Sequence, residues 1–168
     1  MKFAFGLITA LLISTAAHAH GVTAGDIEII HPNIPQPAAT AKAAGGFMGI
    51  ANSGAEADRL IGVETDASAK AELHISEVGA DGVAKMTHLD SIEIPAGDTV
   101  LLEPGGLHVM LMGLKGTLTE GDMVKATLIF EHAGRIEVEF MVDPPRGADH
   151  DAMDHDAMDH SAMEGAGD

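Results

Sequence analysis

The sequence predicts an all-β protein, an antiparallel β-sandwich or barrel. Three observations lead there. Between residues 25 and 143, short apolar stretches alternate with turn-forming clusters. Within those stretches apolar and polar residues alternate, which suits strands because successive strand side chains point to opposite faces. No segment sustains a helical period, and the stretches recur at roughly the 8 to 12 residue spacing of sandwiches and barrels.

The candidate strands run in order through residues 26–31, 45–52, 58–65, 71–78 and 83–89, then 90–96, 99–103, 108–114, 123–132 and 135–143. Between them stand "NSGAEAD", "GADG", "PAGD", "EPGG", "TEGD" and "HAG", rich in residues that accept turn conformations. The stretch 31–46, "HPNIPQPAATAKAAGG", is dense in proline and alanine and reads as a surface loop.

The two ends read differently. Residues 1–19 combine Lys2, an apolar run from Phe3 to Ile13, and Ala17 and Ala19 in an A-x-A arrangement, the pattern of a secretory signal peptide. No later segment is long and apolar enough to suggest a membrane span. One domain over residues 20–145 is expected, followed by a tail over 146–168. From residue 147 onward this tail holds seven acids, three histidines and three methionines and has no base. With nothing to bury, it is expected to be disordered without a ligand.

Composition removes several functions. A formal charge of −17 argues against nucleic acid as a partner, since phosphate binding needs cationic side chains. The absence of cysteine excludes zinc fingers, C-x-x-C redox exchange and thiolate-ligated copper carriers. No nucleophile elbow, H-E-x-x-H or phosphate loop is present, so no enzymatic activity is expected. Soft-metal chemistry would have to rest on methionine and histidine.

Those residues recur in a pattern. On the strand at 108–114, His108, Met110 and Met112 share a face by the two-residue period. His74 and Met86 on neighbouring segments would complete a set of two imidazoles and two thioethers. Cu(I) accepts both donor types, whereas calcium and magnesium prefer oxygen. Met112 is expected to shield the site, and His88 to stand beside it or face solvent; His31 and His132 carry no assignment. In the tail, "DHDAMDHDAMDHSAM" repeats His150, His155 and His160, with Met153, Met158 and Met163 each three residues later. This spacing lets several side chains wrap one ion in a flexible chain, Cu(I) through thioethers or Cu(II) through imidazoles and aspartates. Cleavage after Ala19 would add His20, whose amine and imidazole can chelate Cu(II).

Twenty-one residues separate Met86 from His108, and one separates His108 from Met110. This M-x21-H-x-M arrangement, with "AELH", "IEIPAG", "EPGGLHVMLMGLK" and "IEIIHP" around it, resembles the periplasmic copper chaperones called PCu(A)C. The resemblance spans about residues 26 to 143. It implies a cupredoxin-like Greek-key sandwich binding Cu(I) through His74, Met86, His108 and Met110. It also implies delivery toward the Cu(A) centre of cytochrome c oxidase, with apo subunit II or a Sco-type assembly protein as transient partner. A periplasmic copper buffer or resistance protein with no dedicated acceptor is the alternative function.

Overall fold

The computed structural model describes residues 21–79 and 82–146. The expected signal peptide, His20 and the tail histidines and methionines lie outside the described residues. The structure is all-β, as expected. Its strands are β1 (Gly21–Ala24), β2 (Ile27–Pro35), β3 (Ala43–Asn52), β4 (Asp58–Glu64), β5 (Ser68–Val78) and β6 (Ala84–Leu89). They continue as β7 (Ile92–Ile94), β8 (Thr99–Leu102), β9 (Leu107–Leu114), β10 (Met123–Phe130) and β11 (Arg135–Asp143).

Every expected segment overlaps one strand, β2 through β11, and β1 is an addition. The strands pair in the order β6-β5-β9-β3-β2-β11-β10-β4-β7, with β1 added on β2 and β8 on β3. β3 belongs to both ladders. Its first residues, Ala43 to Gly46, pair with β9, and its remainder pairs with β2 and β8. A single strand thus carries the chain around the corner between the β6-β5-β9 ladder and the rest, and the apolar faces close on one core. Ile29, Ile34, Ile50, Leu60, Ile94, Val109, Leu128, Phe140 and Val142 are its most deeply buried members. Each such apolar side chain contributes on the order of 1.5–3 kcal/mol of transfer free energy.

The expected loop at 31–46 is shorter than the sequence suggested. β2 runs through His31 to Pro35, and β3 starts at Ala43. The ladder tolerates Pro32 because the β2–β3 register shifts between Ile30 and Asn33, where a strand can lose a donor. His31 takes a φ of 47° at this irregularity. Beyond it, β2 pairs in parallel with β11, one parallel pair in the expected antiparallel sandwich. Asn33 Nδ2 donates to Asp143 Oδ2 at 2.6 Å across that pair.

Asp58, at the start of β4, ties the β10–β11 turn to the neighbouring ladder. Its Oδ1 accepts the backbone N–H of Arg59 at 2.7 Å and of His132 at 2.9 Å, and its Oδ2 that of Ala133 at 2.8 Å. Burial alone would raise this carboxyl from its ordinary value of 3.8, but the three backbone donors outweigh burial and hold it lower. A carboxyl depressed in the folded state contributes stability that is present above its unfolded value and lost as pH falls through the folded one. Asp58→Asn places an amide donor against a backbone donor and is expected to cost about 1–3 kcal/mol at neutral pH. Urea denaturation at several pH values checks both points: the variant should lose stability less steeply than the parent below the ordinary value of 3.8.

Candidate metal centre

Three strands build one polar patch on the face opposite the core. Along β9, Val109 and Leu111 are buried in the core, while His108, Met110 and Met112 point the other way. β5 pairs with β9 so that His74 stands opposite His108 and Glu72 opposite Met110. β6 pairs with the other side of β5, setting His88 opposite His74 and Met86 opposite Ser76. Three histidines therefore form one row across the ladder, in the order His88, His74, His108.

The local sequence explains how His108 is held. "EPGG" forms a turn in which Gly106 N–H donates to Glu103 O at 3.1 Å, and Gly105 has a φ of 82°. Proline second and a positive-φ glycine third are what a type II turn requires. This turn presents the Gly106 carbonyl to two donors, the Ser76 N–H at 3.0 Å and His108 Nδ1 at 3.0 Å. A carbonyl can only accept, so Nδ1 carries the proton and Nε2 is left with its lone pair. His108 is buried, and its Nε2 has no hydrogen-bond partner among the described residues.

His74 shows the complementary arrangement. Its Nε2 lies 3.1 Å from Glu72 Oε2, and Glu72 Oε1 is paired with Lys70. The Lys70 ammonium first, and then His74, hold the Glu72 carboxyl below its usual range. An ionised carboxylate only accepts, which puts the proton on Nε2 and leaves Nδ1 bare. That atom too is buried without a partner among the described residues. Both lone pairs thus face away from their supporting groups, as in metal sites whose ligating histidines donate their other N–H to a carboxylate or carbonyl. The two rings stand at 68° with centroids 5.9 Å apart. With metal–nitrogen bonds of about 2 Å, two imidazoles on one ion place their centroids about 5 to 6 Å apart.

Phe47 closes the β3 side. It lies next to His108, with ring centroids 6.3 Å apart, and the Arg146 guanidinium sits 5.0 Å from its ring centre. The ring folds back over Gly45, the residue opposite Met110, where an added Cβ would come within 2.9 Å of Phe47 Cζ. A larger residue at 45 would push the Phe47 ring out of this position.

The expected ligands are not equally gathered. His74 and His108 are neighbours, and Met110 follows His108 on the same face, half-buried. Met86 is 50% exposed on the edge strand and stands diagonally from His74, on the side away from Met110. Met112 lies one step farther along β9, opposite Lys70. His88, given only a peripheral place from sequence, faces His74 directly, with ring centroids 5.8 Å apart. Its two-residue spacing from Met86 was the available signal. His31 and His132 lie away from the patch: His31 approaches Asp143, and His132 gives its N–H to Asp58. The tail ligands His150, Met153, His155, Met158, His160 and Met163 lie outside the described residues.

Known proteins share this arrangement of strands. The family model "Putative lipoprotein LpqE-like" matches residues 27–142. The protein named "Putative lipoprotein Lxx21020" of Leifsonia xyli subsp. xyli is 35% identical over 103 residues, 61% of this chain; those residues are also 61% of the relative, so the chain spans about three fifths of it. Among solved structures, the copper-bound PCuAC domain from PmoF2 is 31% identical with a TM-score of 0.65, covering 75% of this chain and 99% of that domain. The apo PCuAC domain from PmoF1 is 27% identical with a TM-score of 0.67, covering 75% and 100%. Apo-DR1885 from Deinococcus radiodurans, at 24% identity and a TM-score of 0.57 over 87% of this chain and 98% of its own, shares the fold. The chain belongs to the LpqE-like family, and its sandwich is that of the PCuAC domains.

Proposed function

We propose that this protein is an exported, non-enzymatic copper chaperone that holds Cu(I) with His74, His108, Met110 and Met86. The observation that carries the reading is the pair of buried, unpartnered nitrogens, His74 Nδ1 and His108 Nε2, on adjacent rings. The copper in the related PmoF2 domain supports it, and the lipoprotein names of the family and of the Leifsonia relative support export. Among the described residues, no helix is long and apolar enough to cross a membrane.

In this reading the two imidazoles form the fixed half of the site and the thioethers the exchangeable half. Met110 is half-buried beside His108. Met86, half-exposed on the edge strand, swings over the Ser76 and His74 positions to close on the ion. Neutral thioethers hold a soft monovalent cation without adding charge, and a competing ligand displaces them readily. The acceptor proposed is the Cu(A) centre of cytochrome c oxidase, reached through apo subunit II or a Sco-type protein in the periplasm.

The tail would collect copper for this site. The described chain ends at Arg146, beside Phe47, which itself lies next to His108. Residues 147–168 continue the chain from that point. A tether of that length raises the local concentration of any ion it holds into the millimolar range. His150, His155 and His160 suit Cu(II), and Met153, Met158 and Met163 suit Cu(I). The same repeat favours a second reading, a copper buffer with no dedicated acceptor.

Three measurements decide between these. In a chain ending at Arg146, His108→Ala should weaken Cu(I) binding by more than about 100-fold, and Glu72→Gln by about 10-fold through loss of the tautomer lock. Competition with a chromophoric Cu(I) chelator reads both; unchanged affinity in His108→Ala rejects the site. Copper K-edge absorption of that reduced chain should find both sulfur and nitrogen neighbours, with one sulfur fewer in Met86→Leu. Transfer to apo subunit II or a Sco-type protein should occur from the loaded full chain, and tight binding without transfer would establish the buffer.

A further inference from the structure

His74 has a second coordinating edge. Glu72, His74 and His88 each offer a ligand atom within 4.8 Å of the others. Nε2 is the His74 nitrogen on the carboxylate side, 3.1 Å from Glu72 Oε2. Two ligands bonded at about 2.0–2.1 Å to a tetrahedral cation stand about 3.3 Å apart, so this gap already matches a bridged pair. Across the β5–β6 ladder His88 meets His74 edge to face, on an exposed strand. Lys70 neutralises the outer oxygen of Glu72, and Asp90 Oδ1 lies 3.6 Å from His88 Nε2.

We infer that Glu72, His74 Nε2 and His88 form a second site, one for a borderline divalent cation, Cu(II) or Zn(II). Two imidazoles and a carboxylate are the donor set such cations favour, and without sulfur the set has no preference for Cu(I). Solvent reaches the patch at His88, whose side chain is 53% exposed, so water completes the coordination.

The two sites share one ring and disfavour each other. A neutral imidazole has one lone pair and one N–H. Cu(I) at Nδ1 needs the proton on Nε2, where Glu72 accepts it. A divalent cation at Nε2 displaces that proton to Nδ1, which then has no lone pair for Cu(I). Filling both would require an imidazolate, so the second ion to arrive must also displace the remaining ring proton, and each ion disfavours the other. The position of one proton on His74 thus selects between a soft monovalent ion and a borderline divalent one. The divalent site stands on the Glu72–His74–His88 geometry alone, and the competition rests on the proposed Cu(I) site.

Long-range ¹H–¹⁵N spectra of the full chain, titrated with a Zn(II) salt, test both parts, because each histidine ring is read separately and tail binding shows as its own signals. The His74 and His88 rings should shift together and saturate at the same Zn(II) concentration. In His88→Asn, a substitution at an exposed position, the Zn(II) dissociation constant read at His74 should rise by more than about 10-fold, with Cu(I) affinity unchanged. Zn(II) shifts confined to other histidines, or His74 titrating equally in His88→Asn, would overturn the second site. One equivalent of Cu(I) added anaerobically should raise the Zn(II) needed at His88 by more than about 10-fold; unchanged Zn(II) binding while His108 and His74 both report Cu(I) would overturn the competition. Failure of the Cu(I) reading itself shows elsewhere, as a His108 Nε2 signal that Cu(I) does not move.

Discussion

The register between β5 and β9 is the constraint on which the rest depends. It places His74 against His108 on one face and Leu73 against Val109 on the other, both of the latter in the core. Because side chains alternate strictly, a slip of one residue would send His108 and Met110 into the core and Val109 and Leu111 to the surface. Burying Val109 and Leu111 is worth on the order of 1.5–3 kcal/mol each. The hydrophobic effect that closes the sandwich therefore also fixes which imidazoles meet. The proposed metal centre is thus brought together by the same packing that closes the core, with its residues on the other face of the ladder.

Preparing those imidazoles to bind is a separate task, and a turn and a carboxylate accomplish it. Each ring has one nitrogen facing an acceptor, Gly106 O for His108 and Glu72 for His74, so in the neutral ring the other nitrogen is the one that carries the lone pair. A buried polar atom without a partner costs about 1–3 kcal/mol relative to one that is satisfied. An ion that accepts both lone pairs recovers this cost, and affinity gains by that amount without any ligand having to reorganise. Phe47 packs beside the buried His108, and Gly45 leaves space for the Phe47 ring.

Much of this was legible from sequence, and the gaps have physical causes. Alternation located β2 to β11 because each strand buries one face. β1 was missed because "GVTA" is too short to show a period, and it is fixed by pairing with Gly21 to Ala24 opposite Ile30 to Ile27. The end of β2 was read as loop because proline cannot donate to a ladder, and the shift beside Pro32 that spares it is a tertiary event. At the site, the shared face of His108 and Met110 follows from the two-residue period alone. That His88 rather than Met86 faces His74 does not, since it depends on a hairpin register set by a turn the sequence leaves open.

That register also gives the patch a direction. β6 is an edge strand, and every one of its residues except Leu89 is exposed. Exposed edges invite pairing with another chain, and this one carries Lys85, a charged residue of the kind that discourages it. Beside it Val78 and Met86 leave apolar surface uncovered. From His108 outward the patch passes from a buried imidazole to a half-buried one, and then to an exposed imidazole and a half-exposed thioether. In the proposed transfer the outermost ligand is displaced first, so an incoming acceptor meets Met86 while His108 still holds the ion from behind. Each exchange then replaces one ligand at a time, and the ion is never bare in water, which is the condition for moving a tightly held cation quickly.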